Sequence, residues 1–321
     1  MPQSSMASTQ KLMSNSWIEV SDYRMPLGWT QPEQASSLAQ NYCAALERGE
    51  VLYFPQPPFD LPSADREFLL AHEWSELRMH KNVSYRPGDD TLRGVSGDSA
   101  SAQRIHAILR KYSSEVIAFL SSFLAPYAGK WIIDFASFRP LEEDGRALPL
   151  HKRNDLLHVD AFPSRPTRGG RILRVFTNLN LSKPRVWQIT GPFGSLAQHF
   201  AADAGLDAIA GKNSFVGRTI QNWGAMLGVR GMGRTPYDVF MLRFHDYLKE
   251  NSAFQQSCSK VRLEFPPMST WIVYTDGVAH AVMSGQYAME QTFLIPADVL
   301  VSPQEAPYKI LENIAGKPLI Q

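Results

Sequence analysis

Apolar and polar positions alternate with one period early in the chain and another late in it. Ala35, Leu38, Ala39, Tyr42, Cys43 and Leu46 recur at helical spacing, and Gly49 ends that run just before the apolar strand-like segment Val51-Leu52-Tyr53-Phe54-Pro55. A second helix is predicted from Ser63, as N-cap with Asp65 in its first turn, to about Ser75. The following HKNVSYRPGDDTLRGVSGDS, punctuated by Pro87-Gly88 and Gly94, reads as loop, with Lys81, Tyr85 and Arg86 available to line a site. Residues 103–127 carry the longest amphipathic pattern, through Ile105, Ile108, Leu109, Tyr112, Val116, Ile117, Leu120, Phe123 and Leu124, and are expected to buttress a sheet. Arg104, Arg110 and Lys111, offset by Glu115, make too weak a basic stripe for a membrane-surface helix.

From Trp131 onward strands dominate. Trp131 to Phe138, Arg171 to Asn180 and Arg185 to Ile189 are rich in β-branched and aromatic residues, while 194–210 is Ala-rich and helical. Thr235-Pro236-Tyr237-Asp238 opens a helix reaching about Lys249, with a capping-box pattern and Pro at its first turn. Short strands follow at Val261 to Phe265, Trp271 to Tyr274, Ala279 to Met283 and Tyr287 to Ile295, separated by Pro266-Pro267, Asp276-Gly277 and Ser284-Gly285. The expected fold is α+β, a double-stranded β-helix (jelly-roll) core flanked by helices drawn mostly from the N-terminal part. Residues 1–16 read as a flexible tail and 17–321 as one domain.

Composition narrows the function. The 32 basic and 31 acidic residues give no global field for nucleic acid, so an anionic partner must be held by a local cluster. Two distant cysteines, Cys43 and Cys258, fit a reducing compartment, and the sequence has neither a secretory leader nor an apolar run near the roughly 20 residues that span a bilayer. A cytoplasmic location is expected.

The chemistry lies in His158-Val159-Asp160. On an extended strand, His158 and Asp160 project to one side while Leu157, Val159 and Ala161 face the core. An imidazole and a carboxylate then converge, and a second imidazole would complete the 2-His-1-carboxylate triad that holds Fe(II) with open positions for cosubstrate and oxygen. His280, at the start of a late strand behind the Asp276-Gly277 turn, is the preferred third ligand. His245 lies inside an amphipathic helix with Phe240, Met241, Phe244 and Leu248 and is better explained as a helix-to-sheet contact; His72, His80, His106, His151 and His199 are also set aside.

HVDAFPSRP, RGGRILRVFTNLN, RVWQITGPF, YDVFMLRFHDYLKEN and YTDGVAHAVMSGQYAMEQTFLIP together resemble the bacterial Kdo hydroxylase family over most of residues 150 to 296. The resemblance implies a jelly-roll dioxygenase that uses Fe(II), 2-oxoglutarate and O2, with ascorbate as a supporting reductant. It would couple formation of succinate to hydroxylation at C3 of 3-deoxy-D-manno-oct-2-ulosonic acid (Kdo) in lipid A-linked Kdo. His158, Asp160 and His280 would be its metal ligands. The sequence departs from the wider 2-oxoglutarate oxygenase pattern about eleven residues after the distal His, where Gln291 replaces the usual Arg. Arg174 is therefore the candidate for the cosubstrate's far carboxylate, since Arg binds carboxylates bidentately, with Trp187 and Gln291 lining the same pocket. Lys152, Arg153, Arg165, Arg168 and Arg171 would meet the acidic substrate, with Gly169-Gly170 as a hinge. Peripheral contact with the inner face of the cytoplasmic membrane is expected through Gly217 to Arg234, which includes Trp223, Met226, Leu227 and Met232. A cupin-like metal-dependent isomerase or epimerase, a 2-oxoglutarate oxygenase with another substrate, and a non-catalytic carbohydrate-binding jelly roll are the alternatives.

Overall fold

A computed structural model of the protein describes residues 17–72, 74, 82–95, 100–211 and 233–320. Eight strands form one sheet, in the order β1 (Trp17–Glu19), β4 (Val51–Phe54), β11 (Thr270–Tyr274), β8 (Arg171–Asn178), β13 (Ala288–Ile295), β7 (Ile132–Arg139), β5 (Val83–Arg86) and β6 (Thr91–Arg93). All neighbours are antiparallel except β1 and β4. A second antiparallel sheet has the order β10 (Val261–Phe265), β9 (Arg185–Pro192), β12 (Val278–Ser284). A small ribbon, β2 (Tyr23–Arg24) with β3 (Gly28–Trp29), stands apart.

The two larger sheets enclose one apolar cluster. Tyr53, Phe176, Trp271 and Val273 from the large sheet meet Trp187, Ile189, Leu263, Phe265, Val278 and Val282 from the small one. Trp271 stacks on Phe265 with ring centroids 3.9 Å apart. Alternation turns the neighbouring positions outward: Leu173, Val175, Met289 and Phe293 meet the helices α1 (Ala35–Glu47) and α3 (Ala100–Phe123), which follows α2 (Ser63–Ala71). The ten buried positions of α3 include Ile105, Leu109, Tyr112, Val116 and Leu120, so the helix is the expected buttress. Ala279 and Ala281 of the small sheet instead meet α4 (Phe193–Phe200), α5 (Leu206–Gly211), α6 (Pro236–Glu250), α7 (Ser252–Ser257) and α8 (Pro307–Ala315). Half of the helical flank thus comes from insertions after β9 and after β13, not mostly from the N-terminal part. The continuous helix expected over 194–210 is broken at Gly205, whose φ of +88° is a left-handed conformation. The capping box that opens α6 forms as expected, with the Thr235 hydroxyl and the Asp238 carboxylate each satisfying the other's backbone N–H.

The segment read as loop around Arg86 is a hairpin, β5 and β6. Val83 and Tyr85 point to α3 in the apolar core, while Ser84 and Arg86 point the other way. Tyr85 is therefore no site residue, its hydroxyl donating to Asp90 at 2.9 Å, and Lys81 lies outside the described residues. Arg171 is also displaced from its expected role. It faces the helix side of β8, fully buried, with Nε donating to Asp276 Oδ2 at 2.8 Å and its guanidinium 4.2 Å from the Tyr274 ring centroid. A Cβ at Gly277 would collide with that guanidinium. Breaking such a pair strands a buried charge, so Asp276→Ala is expected to lose about 3–5 kcal/mol of stability, read from chemical denaturation. The Gly169-Gly170 pair is buried and packed: a Cβ at Gly169 would meet Ile320 and Tyr308 side chains at 3.0–3.3 Å, so it is not a hinge.

Candidate active site

The segment holding His158 runs beside β12 and is joined to it by a two-way main-chain bridge: His158 N donates to His280 O at 3.1 Å and His280 N to His158 O at 2.9 Å. Leu157 and Val159 enter the helix-side core, which leaves His158 and Asp160 facing the space between the sheets, as alternation requires. His280 shares that inward face with Val278 and Val282, and its ring stacks on Trp187 at 5.1 Å and lies 4.8 Å from the His158 ring. His245 reaches the same place from α6, its ring 4.9 Å from that of His158.

Each of these three imidazoles commits Nδ1 to a backbone carbonyl: His158 to Leu156 O at 2.7 Å, His245 to Val159 O at 2.8 Å and His280 to Val278 O at 2.9 Å. A neutral ring that donates through Nδ1 presents a lone pair on Nε2, the arrangement that orients metal-ligating histidines. Burial pushes all three below the ordinary value of 6.5, His158 well below it. Protons therefore begin to compete with a metal only at lower pH than for free imidazole. Ferrous iron affinity is expected to hold as pH falls through 6.5 and to weaken only below it, measurable by anaerobic titration.

Asp160 supplies the carboxylate. Burial pushes its pKa up, but Arg174, His280 and His158 outweigh that and hold it lowered, so it stays ionised. Its Oδ2 is buried without a hydrogen-bond partner, the nearest cation being Arg174 Nη2 at 3.2 Å. One group of three metal-ligating side chains occurs among the described residues: donor atoms of His158, Asp160 and His245 lie within 4.8 Å of one another. His245 is thus a resident of the site as well as a helix-to-sheet contact. His151 and His106 are elsewhere, paired with Asp246 and Asp90.

Arg174 faces the same interior. Its Nε is buried without a hydrogen-bond partner, as are Asp160 Oδ2 and, on the Trp187 ring stacked against His280, Nε1. That set fits a cation beside Asp160 and an anion beside Arg174 and Trp187. Gln291 does not belong to it: the register sets it beside Val175 and Ala136, both in the helix-covered core, while Thr292 opposes Arg174. Arg174 opens a buried chain of charges that the sequence reading missed. It pairs with Glu290 at 3.4 Å, Glu290 takes both arms of Arg139 at 2.8–3.1 Å, and Glu143 holds Arg139, Arg146 and Arg185 at 3.5–3.7 Å. Glu290 in a strand with Ala288, Met289, Phe293, Leu294 and Ile295 was the available signal, because a buried charge there requires a partner.

Of the remaining basic candidates, Arg165 lines a cleft with Asp160, Phe162 and Tyr237. Arg153 is tied to Asp155 at 3.0 Å, and Lys152 and Arg168 are exposed.

Imidazoles and a carboxylate that could hold a metal, set between two sheets beside a buried guanidinium, are the arrangement of a non-heme metal oxygenase centre. The family model described as 3-deoxy-D-manno-oct-2-ulosonic acid (Kdo) hydroxylase matches residues 29–318, and the chain belongs to that family. Among solved structures, the Kdo hydroxylase KdoO in complex with cobalt(II), described as a non-heme Fe(II) alphaketoglutarate-dependent dioxygenase, aligns with 34% identity and a TM-score of 0.82, covering 96% of this chain and 98% of that one. KdoO with alphaketoglutarate and Fe(III) aligns at 35% identity and a TM-score of 0.80, covering 94% and 96%. KdoO with succinate and Fe(III) gives 33% and 0.81, covering 96% and 98%. No curated protein matches significantly.

Proposed function

We propose that this protein is an Fe(II)- and 2-oxoglutarate-dependent dioxygenase that hydroxylates C3 of Kdo in a lipid A-linked acceptor, with ascorbate supporting turnover. The observation that carries this reading is the His158-Val159-Asp160 segment bridged to His280 between the sheets, with Arg174 3.2 Å from Asp160 and its buried Nε left without a protein partner. The strand order supports a jelly roll: β7-β13-β8-β11 faces β12-β9-β10, with the 158–160 segment completing the smaller sheet against β12.

His158, Asp160 and His280 are the assigned ligands. Donor separation favours His245, whereas backbone placement favours His280. A ring turns about its side-chain bonds, but the sheet face from which it projects is fixed, and His280 projects with Trp187 and Arg174 into the enclosed space. Bound there, ferrous iron with 2-oxoglutarate supplies the oxygen activation that no side chain provides. The chain's own residues orient and exclude water: Nδ1 hydrogen bonds fix the rings, Arg174 offers its guanidinium to the far carboxylate of 2-oxoglutarate, and Trp187, Phe176 and Trp271 keep the cavity dry.

Incubation with Fe(II), 2-oxoglutarate, O2 and Kdo-bearing lipid is expected to add one oxygen atom to the sugar and release an equivalent of succinate. Conversion without O2 or succinate would instead indicate a metal-dependent isomerase. A lipid-linked acceptor implies peripheral contact with the inner membrane face; no helix among the described residues is long and apolar enough to cross a membrane. The contact segment expected at 217–234 lies outside the described residues except for Gly233 and Arg234. Co-sedimentation with anionic vesicles at low salt, lost at high salt, is the expected result.

A further inference from the structure

The hairpin β5–β6 extends the large sheet beyond β7, and one of its faces has no function in the reading above. Val83, Tyr85 and Leu92 pack toward α3. Ser84, Arg86, Thr91 and Arg93 therefore share the opposite face, since Ser84 pairs with Arg93 and Arg86 with Thr91. Ser84 also pairs with Ser137, which places this face on the same side of the sheet as Phe135, Ser137 and Arg139, the side that carries Glu290 and Arg174. Arg86 sits beside Phe135, four residues or about 13 Å along β7 from Arg139.

Two guanidiniums lie against Phe135 there, and Arg93 is on the same face one strand further out. Arg86 lies 4.4 Å and Arg165 4.6 Å from the Phe135 ring centroid, and Arg165 is also 4.8 Å from that of Phe162. Arg165 is neutralised by Asp134. Among the described residues Arg86 and Arg93 make no ion pair, and Arg86 Nε is buried without a hydrogen-bond partner. Of the acids of the hairpin turn, Asp90 binds Tyr85, His106 and Arg110 on the α3 side. Asp89 accepts from Thr91 at 2.7 Å, and that bond, then Arg86 and Arg93, hold its carboxyl below the usual range, so it offsets part of their charge. Arg165 belongs to the cleft that contains Asp160, so this cationic face continues into the candidate centre. Packing on one ring holds Arg86 and Arg165 in place, and the three guanidiniums outnumber the two carboxylates beside them, Asp89 and Asp134, which leaves the face cationic and able to take a further anion.

We propose that Arg86 and Arg93, with Arg165 across Phe135, form a second anion subsite that holds a phosphate or carboxylate of the acceptor remote from the sugar being hydroxylated. This rests on the acceptor reading above and extends it: the subsite would select a multiply anionic glycolipid over free Kdo. Loss of its charge removes binding shared by ground and transition states, so KM for the acceptor rises while kcat is kept.

The test compares wild-type, Arg86→Gln, Arg93→Gln and the double variant on Kdo-bearing lipid A, before and after phosphatase treatment. Arg93 is exposed, so Arg93→Gln cannot act through misfolding, and Arg86→Lys checks the packing role at Phe135. Each single change is expected to raise KM for the intact acceptor ~10-fold, as for loss of one charge-assisted contact, with the anaerobic iron/2-oxoglutarate complex unchanged. A penalty confined to the phosphorylated acceptor identifies phosphate as the bound group; an equal penalty on the dephosphorylated acceptor identifies a sugar carboxylate. An unchanged acceptor KM in the double variant, or a fall in kcat alone, would overturn the subsite. Wild-type protein that hydroxylates neither acceptor would instead overturn the proposed function. Direct binding of intact acceptor to metal-free protein would still report on the arginines, and weaker binding by the double variant is the expected result.

Discussion

Asp160→Asn is expected to remove ferrous iron and turnover together while leaving the fold in place. The amide is isosteric but uncharged, so the site loses its one anionic ligand and with it the term that favours a divalent cation among neutral imidazoles. Arg174 keeps Glu290 at 3.4 Å, and Glu290 keeps Arg139, so no buried guanidinium is left alone. Turnover should fall roughly 10³-fold or more, with the melting temperature of metal-free protein within a few degrees of wild type. Metal analysis after anaerobic loading, alongside succinate release, checks it; iron bound at wild-type stoichiometry would count against Asp160 as a ligand.

Arg174→Gln is expected to raise KM for 2-oxoglutarate ~100-fold with a smaller effect on iron alone. The side chain stands between Asp160 at 3.2 Å and Glu290 at 3.4 Å, and its Nε has no partner. Glutamine cannot present the planar pair of charged donors that a carboxylate needs. The variant also leaves Glu290 bound only to Arg139, so stability is measured in parallel. Lysine at this position should recover part of the affinity through charge alone. If 2-oxoglutarate affinity is unchanged in Arg174→Gln, the anchor is another arginine, with Arg139 next on the same face of the sheet.

Much of this architecture was readable because burial writes a period into the sequence. The α1 and α3 patterns, the β7 to β13 strands and the inward pair His158 and Asp160 all follow from alternation between a wet or enclosed face and a packed one. What escaped was set by register and by partners distant in sequence. The family resemblance implies Gln291 and Arg171 at the site, yet a shift of one position in a strand moves a side chain to the other face, and both lie on the helix-covered side. The hairpin around Arg86 is too short for a clear pattern, only Val83, Tyr85 and Leu92 marking its packed face. The charge chain through Glu290, Arg139 and Glu143 spans residues 139 to 290 and exists only once β7, β8 and β13 are adjacent. His245 joins the site from a helix whose apolar stripe fully accounts for its neighbours but says nothing about where that stripe docks.

The third metal ligand is the point on which the functional reading most depends. Anaerobic ferrous protein with 2-oxoglutarate gives a visible charge-transfer band when the cosubstrate chelates iron, and the band can be followed in His280→Ala and His245→Ala made separately. Loss of the band in His280→Ala with its survival in His245→Ala is the expected result, placing the centre between the sheets on β12. A band that survives His280→Ala and disappears in His245→Ala would contradict it and move the iron toward α6.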